Sequence, residues 1–174
     1  MDFNQSYFEI LQLPVGFSVD QDVLTNHYRE VQKSVHPDRF AGGSDREKRL
    51  AVQWATRVNE AYEVLKSPLK RAIYLLEMVE VELSDNPQLD SGFLIEQIDL
   101  RERLEEIEHE SDALAKLDLF KKEVTQVVAE LQSEFVTAYE AQNYPAATQV
   151  VYKVQFMNKL HVAAEHLEEK LLDY

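Results

Sequence analysis

His36 and Asp38 flank Pro37 in the stretch KSVHPDRFAGG, residues 33 to 43, of a chain with only 5 histidines. A histidine two residues from an aspartate could be a general base with its orienting carboxylate, half of a metal site, or a surface that another protein grips. Pro37 cannot continue a helix and pushes His36 toward an extended conformation, so the two polar side chains should sit on an exposed corner. In isolation a helix C-terminus with a favourable histidine would look the same. A hydrolase would need a nucleophile or a metal with supporting groups, and no second histidine, Gly-x-Ser-x-Gly or metal-type spacing lies nearby. Just upstream, Arg29 and Lys33 are spaced i and i+4, a basic face separate from Leu24, Tyr28, Val31 and Val35.

A second constellation lies in FLIEQIDLRERLEEIE, residues 93 to 108. On a helical wheel, at about 100° per residue, Phe93, Leu100, Leu104 and Ile107 form one stripe, the expected core face. Leu94, Ile95 and Ile98 form a second apolar patch nearly opposite, on a face that continues as Asp99, Glu102 and Glu106. One helix of a bundle needs only one buried face, so the surplus patch should pack on the other half of the chain or on a partner. An apolar centre with a carboxylate border suits a partner with a basic rim.

These residues are carried by a chain of 174 residues with 45% hydrophobic and 10% aromatic content, enough to bury a core. The absence of cysteine excludes disulfides, thiolate metal sites and a cysteine nucleophile, and fits a reducing compartment, so a cytoplasmic address is expected. No apolar run approaches the roughly 18 residues of a membrane span, and MDFNQSYFEI lacks the features of a signal peptide. Net charge is -14, unevenly spread: residues 1 to 78 carry 10 Lys+Arg and 11 Asp+Glu, residues 79 to 174 carry 8 and 21. Such an acidic second half is unsuited to phosphate backbones and should meet partners that present cations.

With 4 glycines and 5 prolines and few alternating β-branched runs, the chain reads as all-helical. YFEILQL (7 to 13) is expected to form a short helix ending at Pro14. Ser18, three residues before Gln21, has capping-box spacing for a helix through DVLTNHYREVQKSV. Ser44 and Glu47 repeat that signal for the next helix, whose buried stripe is read as Leu50, Trp54, Val58, Ala61, Tyr62 and Leu65. Ser67-Pro68 is an N-cap with proline at the first helical position and opens a fourth helix. The turn-rich stretch 81 to 92 coincides with the charge break and is placed as a linker. Segments 93 to 108, roughly 112 to 142 and roughly 145 to 172 then form an antiparallel three-helix bundle. On the last, Val150, Val154, Met157, Leu160, Leu167 and Leu171 are core-like, with Phe156 at the edge of the stripe.

A short helix, a long helix with a basic face, His-Pro-Asp in the loop, a helix ending NEAYEVLKSP and a closing KRAIY together resemble the J-domain over residues 5 to 76. The resemblance implies no catalysis by this chain. It implies docking on a DnaK-type chaperone ATPase, with His36, Pro37 and Asp38 as the triggering loop. Arg29 and Lys33 would belong to the docking surface, joined by Arg39, where lysine is commoner in the family. With no Gly/Phe-rich region, no zinc-type cysteine repeats and a bundle that ends AEHLEEKLLDY, the whole chain resembles the HscB (Hsc20-type) family of iron-sulfur cluster co-chaperones.

That resemblance implies two partners, the DnaK-type ATPase HscA and the scaffold IscU. It also implies a J-domain at 1 to 80, a linker at 81 to 92 and a client-binding bundle at 93 to 174, with no cofactor, metal, nucleic acid or membrane involved. Matched position by position, the client-binding residues are Leu94, Ile95, Ile98, Asp99, Glu102, Glu106 and Phe156. Ile95 stands where methionine is familiar and Asp99 where glutamate is, changes that keep the chemistry. A J-domain protein serving a different client through the same acidic bundle is the alternative.

Overall fold

The computed structural model describes residues 4 to 172, which form seven α-helices and one 3-10 turn and contain no strand. They divide into two compact units between Val79 and Glu80. No helix among the described residues is long and apolar enough to cross a membrane.

The first unit comprises α1 (Tyr7–Ile10), α2 (Gln21–Val35), the 3-10 turn Pro37–Phe40, α3 (Asp45–Lys66) and α4 (Pro68–Glu77). α1 is shorter than its apolar run suggests. Gln12 takes a left-handed conformation at φ 54°, Leu13 N–H reaches back to the Phe8 carbonyl at 2.8 Å, and the chain turns away before Pro14. This is the Schellman geometry usually assigned to glycine. α2 begins at a different cap from the one its spacing suggests: Asp20, and not Ser18, accepts from the N–H groups of Asp22 and Val23. A carboxylate is both a stronger acceptor and a better match to the positive helix end than a hydroxyl, so the helix starts at Gln21. At α3 the Ser44–Glu47 capping box forms in both directions, and Ser67 caps α4 with Pro68 in its first turn.

α2 and α3 form a hairpin. The Tyr28 ring stacks on Tyr62 with centroids 4.2 Å apart, and the Tyr28 hydroxyl donates to Asn59 Oδ1 at 3.0 Å. The core beneath is Phe8, Leu11, Leu24, Val35, Trp54, Val58, Ala61, Leu65, Leu75 and Leu76. Leu50, assigned to the buried stripe, is exposed. The stripe runs through Ala51, Trp54, Val58, Ala61 and Leu65, and Leu50 lies about 100° to its side. Arg71 is buried: its Nε donates to the Leu65 carbonyl at 2.8 Å, Nη1 donates to the Phe17 carbonyl, and the guanidinium lies over the Phe17 ring. Burial pulls its pKa below the ordinary arginine value.

The second unit is a three-helix bundle of α5 (Ser91–Ile107), α6 (Ala113–Glu140) and α7 (Tyr144–Leu172). Contacts between Phe93 and Phe156 near one end and Glu108 and Lys170 near the other make α5 and α7 parallel. Arg103–Glu123 and Lys121–Glu168 tie the antiparallel α6 to each of them. Leu104, Leu117, Phe120, Val124, Phe135, Val151, Met157, Leu160 and Ala164 fill the core. The stretch before α5 is held on α7, where Ser84 N–H donates to the Tyr152 hydroxyl at 2.6 Å and Asp90 faces Lys153 at 3.6 Å.

Candidate functional site

In the first unit α2 stops at Val35, and His36 takes an extended backbone, φ -58° and ψ 129°. That is the conformation a residue preceding proline favours. Pro37 then opens the 3-10 turn, with His36 as its cap: the His36 Nδ1 accepts from the Asp38 N–H at 3.3 Å. The Asp38 carboxylate is also 3.5 Å from Nδ1. One nitrogen cannot accept from the amide and simultaneously donate to the carboxylate, so the amide contact defines the corner. This leaves the Asp38 side chain 90% exposed and free to accept from a partner.

Arg39 turns back on the helix, its Nη1 donating to the Lys33 carbonyl at 3.3 Å. That carbonyl is one of the acceptors a helix end leaves open, so Arg39 ties the corner to α2. Gly43 closes the other side of the loop. A Cβ there would lie 2.9 Å from Glu47 Oε2, the acceptor of the Ser44 capping box, and 3.2 Å from the Phe40 carbonyl. Arg29 and Lys33 are exposed on α2, on the flank that leads into the corner. Among the described residues no group of three or more His, Asp or Glu side chains is placed to hold a metal ion.

In the second unit α5 is capped by Asp90, whose Oδ1 accepts from the Phe93 N–H at 2.9 Å. That bond, assisted by Lys153, holds the Asp90 carboxyl below its ordinary pKa. Phe93, Leu104 and Ile107 are buried, whereas Leu94, Ile95 and Ile98 are 41%, 59% and 56% exposed. Asp99, Glu102 and Glu106 are exposed along the same helix. The structure thus brings all six α5 residues onto one solvent-facing surface, with the apolar residues toward the N-terminal end and the carboxylates following. Phe156, on α7, is half-buried and meets Phe93 edge-on at 6.0 Å between centroids. It borders the α5 surface from the neighbouring helix.

Gln97 was not singled out in the sequence. It is buried between the two faces of α5, and its Nε2 donates to the Met157 sulfur at 3.2 Å. A polar residue between two apolar groups gives no periodic signal for such burial.

The comparisons agree with this two-part anatomy. The family model described as the DnaJ domain matches residues 6–74, and that described as the HSCB C-terminal oligomerisation domain matches residues 89–165. The co-chaperone protein HscB of Proteus mirabilis is 39% identical over 96% of this chain and 98% of its own length. The HscB homologue of Vibrio vulnificus is 41% identical over 95% and 98%. The solved structure of the chaperone HscB from Vibrio cholerae superposes with a TM-score of 0.89 at 36% identity, covering 96% of this chain and 99% of that one. With a J-domain corner in one unit and the HscB-type bundle in the other, this chain belongs to the HscB family of J-domain co-chaperones.

Proposed function

We propose that this chain is a cytoplasmic adaptor with no catalytic activity of its own, which stimulates the ATPase HscA through its first unit and delivers the scaffold IscU through its second. Residues 1 to 80 act as the J-domain, 81 to 92 as the connecting segment and 93 to 174 as the client-binding bundle. Arg29 and Lys33 provide cations for an acidic partner surface, and Pro37 fixes the corner. Asp38 accepts from a cation of the ATPase, a charge-assisted bond stronger than a neutral one. His36 holds the turn through the Asp38 amide, and Arg39 anchors it to α2.

The observation that carries the client half is the exposed apolar triad Leu94, Ile95 and Ile98 with its carboxylate continuation. Large apolar side chains left exposed beside a run of carboxylates have the composition of a specific interface. Phe156 extends it onto α7.

The test is direct. Purified IscU should bind the full chain, and the chain should raise the ATP turnover of HscA, more so with IscU present. Stimulation of HscA without any IscU binding would leave a J-domain co-chaperone for another client and overturn the client assignment.

A further inference from the structure

The face read above as acidic has a cationic flank. α5 and α7 run parallel, so the order of residues along one is repeated along the other. On α5 the apolar anchors Leu94 and Ile98 are followed, three residues on, by Arg101; on α7 Phe156 is followed, three residues on, by Lys159. Arg101 and Lys159 line one groove between the two helices, over a floor of Leu104 and Leu160. Both are exposed, and among the described residues neither has a carboxylate partner. Lys159 lies over the Phe156 ring at 5.7 Å.

The other charges of this groove do not cancel the pair. Glu108 is engaged by Lys170, which leaves Glu105 as the single uncommitted carboxylate beside two cations. The contrast with Lys153 is informative: that lysine, six residues back on α7, is paired with Asp90. Residues 79 to 174 hold 21 carboxylates and 8 cations, so two cations with no carboxylate partner among the described residues, in one groove next to the anchors, are not what charge balance alone would leave there.

We propose that the groove between α5 and α7 receives a carboxylate of the client protein, clamped between Arg101 and Lys159, while the client's basic residues meet Asp99, Glu102 and Glu106 on the other flank of α5. This deepens the client-binding reading and rests on it. Opposite charges on the two flanks of one apolar strip fix the direction in which the client lies, which a uniformly acidic face cannot do. The occupant is an anionic side chain carried by the same client that covers Leu94 and Ile98, because groove and anchors form one continuous surface.

The test compares IscU affinity for three variants of the full chain. Arg101→Ala with Lys159→Ala should weaken binding about tenfold and leave the melting temperature unchanged, since both side chains are exposed. Arg101→Lys with Lys159→Arg should retain most of the affinity. Leu94→Ala with Ile98→Ala is the control for the underlying reading. If the client were attracted only as a cation, deleting two positive charges would strengthen binding, so unchanged or tighter binding of the double alanine variant overturns the clamp. In that case lost binding in the control still upholds the client site, whereas intact binding in all three variants removes that reading as well. A change in sedimentation with unchanged IscU affinity would assign the groove to a second copy of this chain, and also overturns the proposal.

Discussion

At the scale of single residues, the loop separates two tasks that its sequence presents together. His36 and Asp38 could be taken as a dyad, but the His36 ring accepts from the Asp38 backbone, and the Asp38 carboxylate is left to solvent. The side chain that holds the turn is therefore distinct from the one left exposed. Asp38→Asn keeps the backbone contact and removes only the charge. It should abolish stimulation of HscA while the melting temperature and IscU affinity stay at parental values; equal loss of both activities would mean that the two units are not functionally separate. Arg39→Ala should act differently, because it releases the Lys33 carbonyl rather than removing a partner contact. A partial loss of stimulation is expected, recovered in Arg39→Lys to the extent that an ammonium can reach the same acceptor; ATPase titrations of the three proteins check it.

At the scale of elements, α5 shows how much a wheel can and cannot tell. The separation of Phe93, Leu100, Leu104 and Ile107 from Leu94, Ile95 and Ile98 was legible because it depends only on helical period; the structure buries Phe93, Leu104 and Ile107, leaves Leu100 half-buried and exposes the second set. Leu94→Ala with Ile98→Ala should thus leave helical content and melting temperature near parental, since substitutions at exposed positions typically shift stability by within about 0.5 kcal/mol. IscU binding should fall by about 2 kcal/mol or more if these are the anchors, measurable by calorimetry. A large drop in melting temperature would instead show that the patch supports the fold.

The cap of α5 carries a pH signature. The Phe93 N–H, chiefly, and Lys153 lower the folded pKa of Asp90, so its charge stabilises the fold above the ordinary aspartate range, and that contribution is lost as pH falls through the depressed folded value. Asp90→Asn keeps an acceptor without the charge. Its thermal stability should lie below that of the parent at neutral pH, and the gap should close in acid, below about pH 4. Other boundaries were less legible. Ser18 and Asp20 both offer acceptors ahead of α2, and the capping-box spacing that points to Ser18 does not weigh the stronger carboxylate acceptor that the structure uses, Asp20. α1 and α6 end on left-handed glutamines, Gln12 and Gln142, where the sequence has no glycine to mark the stop. Arg71 is buried through contacts to the carbonyls of Leu65 and Phe17, which no local pattern announces.

At the scale of the whole molecule, two surfaces on two compact units are joined in one chain, and the joining is itself testable. A chain that holds client and ATPase together, as proposed, would replace a second bimolecular encounter with an intramolecular one, at an effective concentration that reaches the millimolar range for short connections. Two variants that each lack one surface separate linkage from mere presence. Asp38→Asn retains the client surface, and Leu94→Ala with Ile98→Ala retains the J-domain corner. Mixed in equal amounts, they supply every contact but never on the same chain. The expected outcome is that the mixture stimulates HscA no better, in the presence of IscU, than the Leu94 and Ile98 variant does alone, because the client travels on a chain that cannot trigger the ATPase. Full recovery of client-dependent turnover would show that the two surfaces act independently and that their covalent connection contributes nothing. The unequal charge of the halves gives the same experiment a second axis. Client capture by the acidic half should slow as salt screens the steering field, whereas the apolar anchors are insensitive to ionic strength, so the dissociation rate should change less than the association rate. A stopped-flow series across about a tenfold range of salt would therefore locate the coupling chiefly in the rate of client arrival, with a smaller change in the lifetime of the complex.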